Sequence, residues 1–436
     1  MLKTVKFGGS SLADAQQFRK VADIIRADET RRYVVVSAPG KRYAQDIKIT
    51  DMLYRCYEAA CHGYDFTESF ALIRSRYEDI IRELGLKLDL TSTLNAIEKK
   101  LRLSPDRDYA ASRGEYLSAL LMAAYLDVPM IDAAECIFFT EEGVFDLERT
   151  QEALSQRLKE TPRAVLPGFY GSLPNGRVHT FSSGGSDVTG AIVARASASD
   201  LYENWTDVSG MLSCDPRIVK NPAPIEVISY AELRELAYMG AMVLHESAIF
   251  PVKKAGIPIN IRNTNDPAHP GTMIQAHADQ WEDHPITGIA GHKYFTSILI
   301  GKDQMNETVG FAHRVLSVLA RHNILLEHMP TGIDTLSVIV PKEQLESCLE
   351  DVLTELQQET QAESITVHDN LALIAVVGRG MVQRQGVCQR VFSALGRAKV
   401  NVYMIDSGSG ELNIIIGVDA DEFETAIQAL YDEFFG

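Results

Sequence analysis

Positive charge is scarce in this chain. Its 436 residues include 42 lysines and arginines against 59 aspartates and glutamates, which gives a formal net charge of −17 at pH 7. Because nucleic acids and anionic membrane surfaces are bound through clustered basic residues, this balance argues against both classes of partner. Any anionic ligand would need to be held by local positive groups.

Cysteines and long apolar runs are also few. The six cysteines form no C-x-x-C pair and no zinc-like spacing. No signal peptide precedes the first predicted strand, and no apolar run approaches the roughly 18 to 20 residues needed to span a bilayer. We therefore expect a cytoplasmic protein that is not inserted in a membrane.

Hydrophobic residues make up 46% of the chain, enough to bury sizeable cores, and its length suggests about three domains. Up to about residue 275, predicted strands alternate with predicted helices. Strands are predicted at 2–7, 33–38, 130–132, 164–166, 201–206 and 258–261, and helices at 14–26, 51–61, 67–84, 91–101, 113–126, 150–159, 187–198 and 230–240. Such alternation predicts an α/β fold, an open sheet with helices on both faces.

The C-terminal part contains an internal repeat. "RVLSVLARHNILLEHM" from Arg314 matches "RVFSALGRAKVNVYMI" from Arg390, and the same offset pairs Leu336 with Leu412 and Ile339 with Ile415. A register kept over a helix and two strands predicts two small α+β modules, each β-α-β-β-α. The polar segment 276–285 is predicted to connect them to the first part, which gives domains at 1–280, 286–360 and 361–436.

The segment "VKFGGSS" places Lys6 near the end of the first predicted strand, before Gly8, Gly9 and Ser10. Glycines let the backbone approach phosphate, and a strand-end lysine can neutralise phosphoryl charge. The alternative is an ordinary strand, turn and helix with a cap at Ser10 or Ser11. The pattern G-x-x-x-x-G-K-[ST] is absent, so a P-loop enzyme is not predicted.

A second glycine pair lies in "FSSGGSDVTG", where Gly184 and Gly185 precede a predicted helix. Backbone N–H groups at such a point face an anion. Asp187 could hold Lys6 or a magnesium ion, or could simply cap the helix. Sites for phosphate and carboxylate usually add an arginine here, but the residue before the glycines is Ser183.

Three further segments carry candidate residues. "TDVSGMLSCDPRIV" places Asp207, Asp215 and Arg217 around a turn that is either a polar loop or a ligand site. "SRGEYLSALL" places Glu115 at the start of a predicted helix, where it would favour the helix dipole or pair with a substrate ammonium. His245 borders an apolar run and is predicted to be structural.

Taken together, these motifs resemble those of the aspartokinases, which belong to the amino acid kinase family. The matching segments are "KFGGSS", "VVVSA", "KITDML", "SRGE", "GGSD", "TDVSG", "DPR" and "VLHE", followed by the paired modules, and they cover essentially the whole chain in order. The resemblance implies Mg2+-dependent phosphoryl transfer from ATP to the side-chain carboxylate of L-aspartate, the first step of lysine, threonine and methionine biosynthesis. It also implies that the modules are ACT domains, which bind lysine or threonine as effector and help to build a homodimer.

The resemblance also assigns roles to residues. Lys6 would stabilise the transferred phosphoryl group, and Asp187 would orient Lys6. The nucleotide would be held by Gly8, Gly9, Ser10, Ser37, Gly184, Gly185, Thr206, Asp207, Asp215 and Arg217. Aspartate would be held by Thr50, Glu115, Ser183 and Ser186, with Glu115 binding its ammonium.

Three residues depart from the family pattern. Ser183 replaces the arginine that usually precedes "GGSD", Leu212 replaces a tyrosine of the nucleotide loop, and Met242 replaces a lysine before "VLH". Serine cannot supply the positive charge of the arginine. Two alternatives to an active aspartate kinase follow: a catalytically weakened amino acid sensor, and a kinase for another amino acid such as glutamate.

Overall fold

The structure is a computed structural model that describes residues 1–182, 184–241, 244, 246–276, 285–379, 381, 384–407 and 412–436. The chain forms two compact units. The first comprises Met1–Met211, Glu226–Tyr230 and Val243–Ala278, and the second comprises Leu212–Ile225, Ala231–Met242 and Asp279–Gly436. The predicted linker residues 277–284 lie outside the described residues.

The strands are β1 (Lys3–Phe7), β2 (Arg31–Val36), β3 (Ala164–Pro167), β4 (Tyr170–Ser172), β5 (Val178–Thr180), β6 (Leu201–Thr206), β7 (Met211–Leu212), β8 (Pro224–Ile225), β9 (Val227–Ser229), β10 (Ile259–Asn263), β11 (Thr272–Gln275), β12 (Gly288–Gly301), β13 (Thr335–Pro341), β14 (Ser364–Val377), β15 (Met404–Asp406) and β16 (Asn413–Asp419). The helices are α1 (Ala15–Arg26), α2 (Ile49–Cys61), α3 (Thr67–Leu84), α4 (Thr91–Leu103), α5 (Arg107–Leu126), α6 (Leu147–Glu160), α7 (Gly185–Ala196), α8 (Tyr230–Tyr238), α9 (Glu246–Ala255), α10 (Phe311–Arg321), α11 (Lys342–Leu345), α12 (Leu349–Thr360), α13 (Val387–Arg397) and α14 (Phe423–Phe435).

The first unit is built on a seven-stranded sheet in the order β3-β2-β1-β6-β10-β11-β9. Its first five strands are parallel, and β11 runs antiparallel to β10. Alternate residues of β1 face opposite sides, because the side chains of a strand alternate. Val5 and Phe7 pack into the core with Phe18 of α1, whereas Lys6 faces α7. The predicted α/β fold is confirmed.

Two local predictions are wrong. The predicted strand 130–132 is reduced to one bridge between Met130 and Val165. Helix α5 begins at Arg107 rather than at Arg113, because the side chain of Asp106 accepts a hydrogen bond from the backbone N–H of Tyr109 at 2.9 Å and caps the helix. Glu115 therefore lies inside a helix.

The start of α1 also differs from the alternative in which Ser10 or Ser11 caps the helix. Asp14, not Ser10 or Ser11, caps the helix, and its side chain accepts a hydrogen bond from the backbone N–H of Gln17 at 2.9 Å. Residues Gly9–Leu12 form a short 3-10 turn before it. The serines of the glycine loop are thus not needed as helix caps.

The second unit contains the predicted repeat. Its five-stranded antiparallel sheet has the order β13-β12-β14-β16-β15. Strands β12 and β14 have 14 residues each and begin at equivalent positions of the repeat, as do α10 and α13. Each repeat has its own apolar core, with Val315 fully buried in one and the equivalent Val391 fully buried in the other. The two predicted α+β modules are confirmed.

The two repeats share their central strands. β12 and β14 pair along their whole length, from Gly288 opposite Val377 to Gly301 opposite Ser364. The second half of β12 also pairs with β13, and the second half of β14 pairs with β16. Because each long strand serves both halves of the sheet, the domain limits proposed from the sequence stay a prediction.

No helix within the described residues combines the length and the apolar character required to cross a membrane.

Candidate functional site

The candidate site lies in the first unit, at the carboxyl ends of β1, β2, β3 and β6. In open parallel sheets this edge is where ligands bind. Gly8 follows β1 and donates its backbone N–H to the carbonyl of Trp205 at 3.0 Å, and Gly168 follows β3 and donates to the carbonyl of Val36 at 2.9 Å. The first glycine loop and the loop after β3 therefore lie at one edge of the sheet, and Ser186, next to the second glycine pair, packs against Gly168.

Lys6 and Asp187 form the central ion pair. Nζ of Lys6 lies 2.5 Å from Oδ1 of Asp187, and only 9% and 16% of the two side chains are exposed. Nδ2 of Asn204 donates to the same carboxylate oxygen at 2.8 Å. The helix-cap interpretation of Asp187 is wrong, because α7 begins at Gly185 and its N-cap residue is Gly184, with no side-chain cap hydrogen bond. This network fixes a cation at the end of β1.

Asn204 was missed in the sequence. It lies directly beside Lys6, because β1 and β6 pair in parallel with Lys6 opposite Asn204. The sequence did place Asn204 in the predicted strand 201–206. It could not show that this strand pairs with the first strand, which is far away in the chain. Asn204 and Lys6 both contact Oδ1 of Asp187, so Asn204 adds a second restraint on this carboxylate.

The first glycine loop is packed against the loop that follows β2. A Cβ atom at Gly9 would lie 2.8 Å from the carbonyl oxygen of Ala38, and the backbone N–H of Gly40 donates to the carbonyl of Gly9 at 2.8 Å. Any side chain at Gly9 would force the two loops apart. Ser10 and Ser37 are half-buried in these loops. The predicted phosphate-binding residues are thus brought together.

The loop after β2 is held by residues that the sequence did not reveal. Nη2 of Arg76 donates to both carboxylate oxygens of Asp46, at 3.0 and 2.8 Å, and Nη1 donates to the carbonyl of Gly40 at 3.3 Å. Hydrogen bonds from Arg42, with the charge of Arg76, hold the pKa of Asp46 well below its usual range. Arg76 lies on α3, so only the folded chain shows its role.

The second glycine loop opens α7. Gly184 has a left-handed backbone, with φ of 61°, and a Cβ atom at Gly185 would lie 2.5 Å from the ring of Phe169. Ser186 packs against Gly168, because a Cβ atom added at Gly168 would lie 2.7 Å from the hydroxyl oxygen of Ser186. Both glycines are therefore required by the backbone and its neighbours. Ser183, Met242 and His245 lie outside the described residues.

Glu115 is the most unusual group of the site. It is 5% exposed, and its Oε2 has no hydrogen-bond partner in the described part of the chain. Burial raises its pKa to about 8, although the backbone N–H of Ala38 and the charge of Arg113 oppose the rise. The prediction that Glu115 begins a helix is wrong. The dipole of a helix start therefore does not explain this carboxyl group, whose ionised form a nearby cation would stabilise.

Thr50 lies near Glu115 in the fold. It is half-buried in the first turn of α2, next to Ile49, whose backbone N–H donates to the carbonyl of Pro39 at 3.1 Å. A Cβ atom at Gly114, the neighbour of Glu115, would lie 2.6 Å from Ala38 and 3.3 Å from Ile49. The helix segments that carry Thr50 and Glu115 thus pack against the same loop, the one that follows β2.

The four predicted residues after β6 are divided between the two units. Thr206 and Asp207 belong to the first unit, and the hydroxyl of Thr206 donates to Asp207 at 3.1 Å. Asp215 and Arg217 belong to the second unit, where they form an ion pair at 2.6 Å that lowers the pKa of Asp215. Leu212, which replaces the tyrosine of the family pattern, is exposed in that unit.

Comparison with known proteins gives family matches for both parts of the chain. The profile of the amino acid kinase family matches residues 1–263, and the profile of an ACT domain matches residues 374–434. Aspartokinase 3 of Bacillus subtilis is 38% identical over 450 residues, covering 100% of this chain and 99% of that protein.

Solved structures agree with these matches. The aspartate kinase of Clostridium acetobutylicum has a TM-score of 0.92 and 47% identity, with 99% of each chain covered. Aspartokinase III of E. coli, in complex with aspartate and ADP, has a TM-score of 0.77 and 27% identity, with 100% of each chain covered. The same enzyme in complex with lysine and aspartate has a TM-score of 0.75.

Proposed function

Because the chain belongs to the aspartokinase family and is an aspartate kinase, we propose that it transfers the γ-phosphoryl group of ATP to the side-chain carboxylate of L-aspartate. The product would be 4-phospho-L-aspartate, at the first step of lysine, threonine and methionine biosynthesis. One observation carries this proposal: a fixed cation, Lys6, lies at the sheet edge where a buried carboxyl group, Glu115, has one oxygen, Oε2, without a hydrogen-bond partner among the described residues.

Lys6 is proposed to neutralise charge on the transferred phosphoryl group. A carboxylate nucleophile is already ionised at neutral pH and needs no general base, so catalysis consists of positioning and charge stabilisation. Asp187, which is itself held by Asn204, keeps the Lys6 ammonium in place before the nucleotide arrives. A preorganised cation requires little rearrangement during the reaction, which is the condition for efficient electrostatic catalysis.

The nucleotide is proposed to bind across the two glycine loops. Gly8, Gly9 and Ser10, with Gly184 and Gly185, would present backbone N–H groups to its phosphates, and Ser37 would lie beside them. Thr206, Asp207, Asp215 and Arg217 would surround the rest of the nucleotide, as in the family pattern. The E. coli relative with bound ADP supports nucleotide use by this fold.

Mg2+ is proposed to arrive with ATP, because this ion is usually bound by one or two carboxylates together with substrate phosphates. Within the described residues, both side-chain contacts of Asp187 are made by its Oδ1. Its Oδ2 is thus left to face a metal ion or a metal-bound water. When bound, the ion would neutralise phosphate charge alongside Lys6.

Aspartate is proposed to bind through its ammonium at Glu115, with Thr50, Ser183 and Ser186 around its carboxylates. The raised pKa of Glu115 means that the free protein keeps this group neutral at pH 7. A substrate ammonium would supply the missing partner and favour the ionised form. Binding of aspartate should therefore release a proton below about pH 8.

The second unit is proposed to act as the regulatory part, with repeats at 286–360 and 361–436 after a kinase domain at 1–280. The lysine complex of the E. coli relative supports lysine as an effector, and threonine is the other candidate. Exposed apolar side chains at Leu325, Ile333 and Ile405 support a homodimer through these modules. The six free cysteines support a cytoplasmic location.

A coupled assay of ATP turnover tests the proposal. We expect ADP formation with aspartate, and little with glutamate or without an acceptor. Turnover that prefers glutamate would identify a different amino acid kinase. Lysine binding by isothermal titration in a protein that shows no turnover with any acceptor would instead identify a sensor.

A further inference from the structure

A cleft of about 450 Å³ opens beside the second glycine loop in the first unit. Its walls include Ser182, the last described residue before that loop, and Tyr54, which lies one helical turn after Thr50 on α2. Residues four apart on a helix share a face, so Tyr54 and Thr50 lie on the same side of α2. The cleft is therefore bordered by Ser182, next to the second glycine loop, and by the face of α2 that also carries Thr50.

Arg107 provides positive charge in this cleft. Its guanidinium carbon lies 4.8 Å from the centre of the Tyr54 ring, and the side chain is exposed. Within the described part of the chain, no carboxylate forms an ion pair with this guanidinium. Burial raises the pKa of Tyr54, the charge of Arg107 lowers it, and the carboxyl groups of Asp108, Glu115 and Asp51 raise it. Tyr54 therefore lies within electrostatic range of Arg107 and of these three carboxyl groups.

The neighbouring acid does not neutralise Arg107. Asp108 also lines the cleft, but its Oδ2 lies 2.7 Å from Nδ1 of His179 and its Oδ1 accepts a hydrogen bond from Thr180 at 3.0 Å. Both oxygens of Asp108 are thus engaged by His179 and Thr180, which also line the cleft. The fork of five N–H donors on Arg107 remains available for an anion in the cleft.

Two other arginines were candidates for this role. Arg113 is 7% exposed, lies between the rings of three tyrosines at 4.5 to 5.3 Å, and donates to the hydroxyl of Ser112. Arg177 is 66% exposed and forms an ion pair with Asp106 at 2.8 Å. Neither lines the cleft, so neither meets an anion there as directly as Arg107.

We infer that Arg107 is a specificity-determining residue that binds the α-carboxylate of the aspartate substrate. The inference rests on the proposed function. Aspartate carries one ammonium and two carboxylates: the ammonium is matched by Glu115 and the reacting carboxylate lies at the phosphoryl group near Lys6. The remaining carboxylate requires a donor, and a planar guanidinium stacked on a ring is well suited to bind it in bidentate fashion.

Steady-state kinetics of Arg107→Gln test this role with two acceptors, L-aspartate and its α-amide, which lacks the charge of the α-carboxylate. For aspartate we expect KM to rise roughly 10- to 100-fold, the loss typical of a charge-assisted hydrogen bond. The value of kcat and the KM for ATP should change by less than about threefold, because the contact holds ground state and transition state alike. For the α-amide, Arg107→Gln and the wild type should behave alike.

Arg149→Gln is the matched control. Arg149 is also exposed and also stacks on an aromatic ring, with its guanidinium carbon 4.1 Å from the centre of the Phe138 ring, but it does not line the cleft. This variant should leave the kinetics of both acceptors unchanged. Thermal unfolding of both variants should match the wild type, since both side chains are exposed.

The inference is overturned if Arg107→Gln leaves the KM for aspartate unchanged. It is also overturned if the variant impairs aspartate and the α-amide equally, since a structural defect would do that. A wild type without aspartate-dependent turnover would contradict the proposed function itself, and this role of Arg107 would fall with it.

Discussion

Replacing Glu115 by glutamine should stabilise the free protein and, at the same time, weaken its binding of aspartate. The carboxyl group is buried and its pKa is raised to about 8, from 4.5 for an exposed glutamate. Between these two values the folded protein holds a proton that the unfolded chain has lost. Wild-type stability must therefore fall as pH rises through this range.

The magnitude follows from the size of the shift. One pKa unit corresponds to about 1.4 kcal/mol, so keeping Glu115 protonated at pH 7 costs roughly 3 kcal/mol relative to pH 4.5. Glutamine has nearly the same shape and does not titrate. The two proteins should have similar stability near pH 4.5, and Glu115→Gln should be more stable by roughly 3 kcal/mol at pH 7.

Urea unfolding at pH 4.5, 5.5, 6.5 and 7.5 measures this difference. The fluorescence of Trp205, which is 1% exposed in the first unit, reports the transition. The only other tryptophan, Trp281, is replaced by phenylalanine in every protein.

The KM of the wild type for aspartate should also depend on pH. It should fall about tenfold per pH unit up to about pH 8, since binding requires the ionised carboxylate of Glu115.

Glu203→Gln is a control of opposite sign. Glu203 is also buried, and burial alone would raise its pKa. Its ion pairs with Arg31 at 2.8 Å and Lys3 at 3.1 Å outweigh this effect and hold the pKa below the usual range. Ionised Glu203 stabilises the folded protein at pH values above the pKa of the unfolded chain. This stabilisation is lost as pH falls through the lower pKa of the folded protein. This variant should therefore be destabilised at pH 7, by about 3 to 5 kcal/mol. A stability of Glu115→Gln at or below that of the wild type at pH 7 would refute the reasoning.

Three further predictions concern single contacts. Lys6→Ala should lower kcat more than tenfold in the coupled assay with an unchanged circular dichroism spectrum, because the charge is needed where phosphate charge develops; a smaller loss would contradict its role. Asn204→Leu removes one of the two groups that hold Asp187 and should lower kcat by a smaller factor while leaving the KM for aspartate unchanged; a purely KM effect would count against it. Thr287→Val removes the hydroxyl that donates to buried Glu232 at 2.6 Å and should destabilise the second unit by about 1 to 3 kcal/mol in urea unfolding; an unchanged midpoint would show that this bond contributes little.

The sequence revealed those parts of the site that depend on local pattern. Lys6 and Asp187 each lie in a short motif where a strand ends or a helix begins, and the structure joins them. Asn204 and Arg76 were missed because their roles depend on strand register and on packing between distant helices. Glu115 was proposed from its own segment as a partner for a substrate ammonium, but its burial inside α5 was not predicted, because the start of α5 depends on the cap at Asp106.

The repeat shows the same limit in the second unit. The constant offset between the two copies was visible in the sequence, because equivalent helices keep their apolar positions. The pairing of β12 with β14 was not visible, because a strand pattern shows which face is buried but not which strand lies at its edge. The sequence therefore predicted two consecutive modules but not the pairing of β12 with β14 along their whole length.

This pairing has a consequence for the nascent chain. Strand β12 ends at Gly301, and its central partner is complete only when the ribosome has reached Val377, at the end of β14. At about 5 to 20 residues per second, this takes roughly 4 to 15 s. During that time β13 can cover the second half of β12, but the edge from Gly288 to His292 has no strand to pair with. An unpaired apolar edge attracts other chains, so newly made protein should be most prone to aggregation in this interval and should benefit most from a chaperone there.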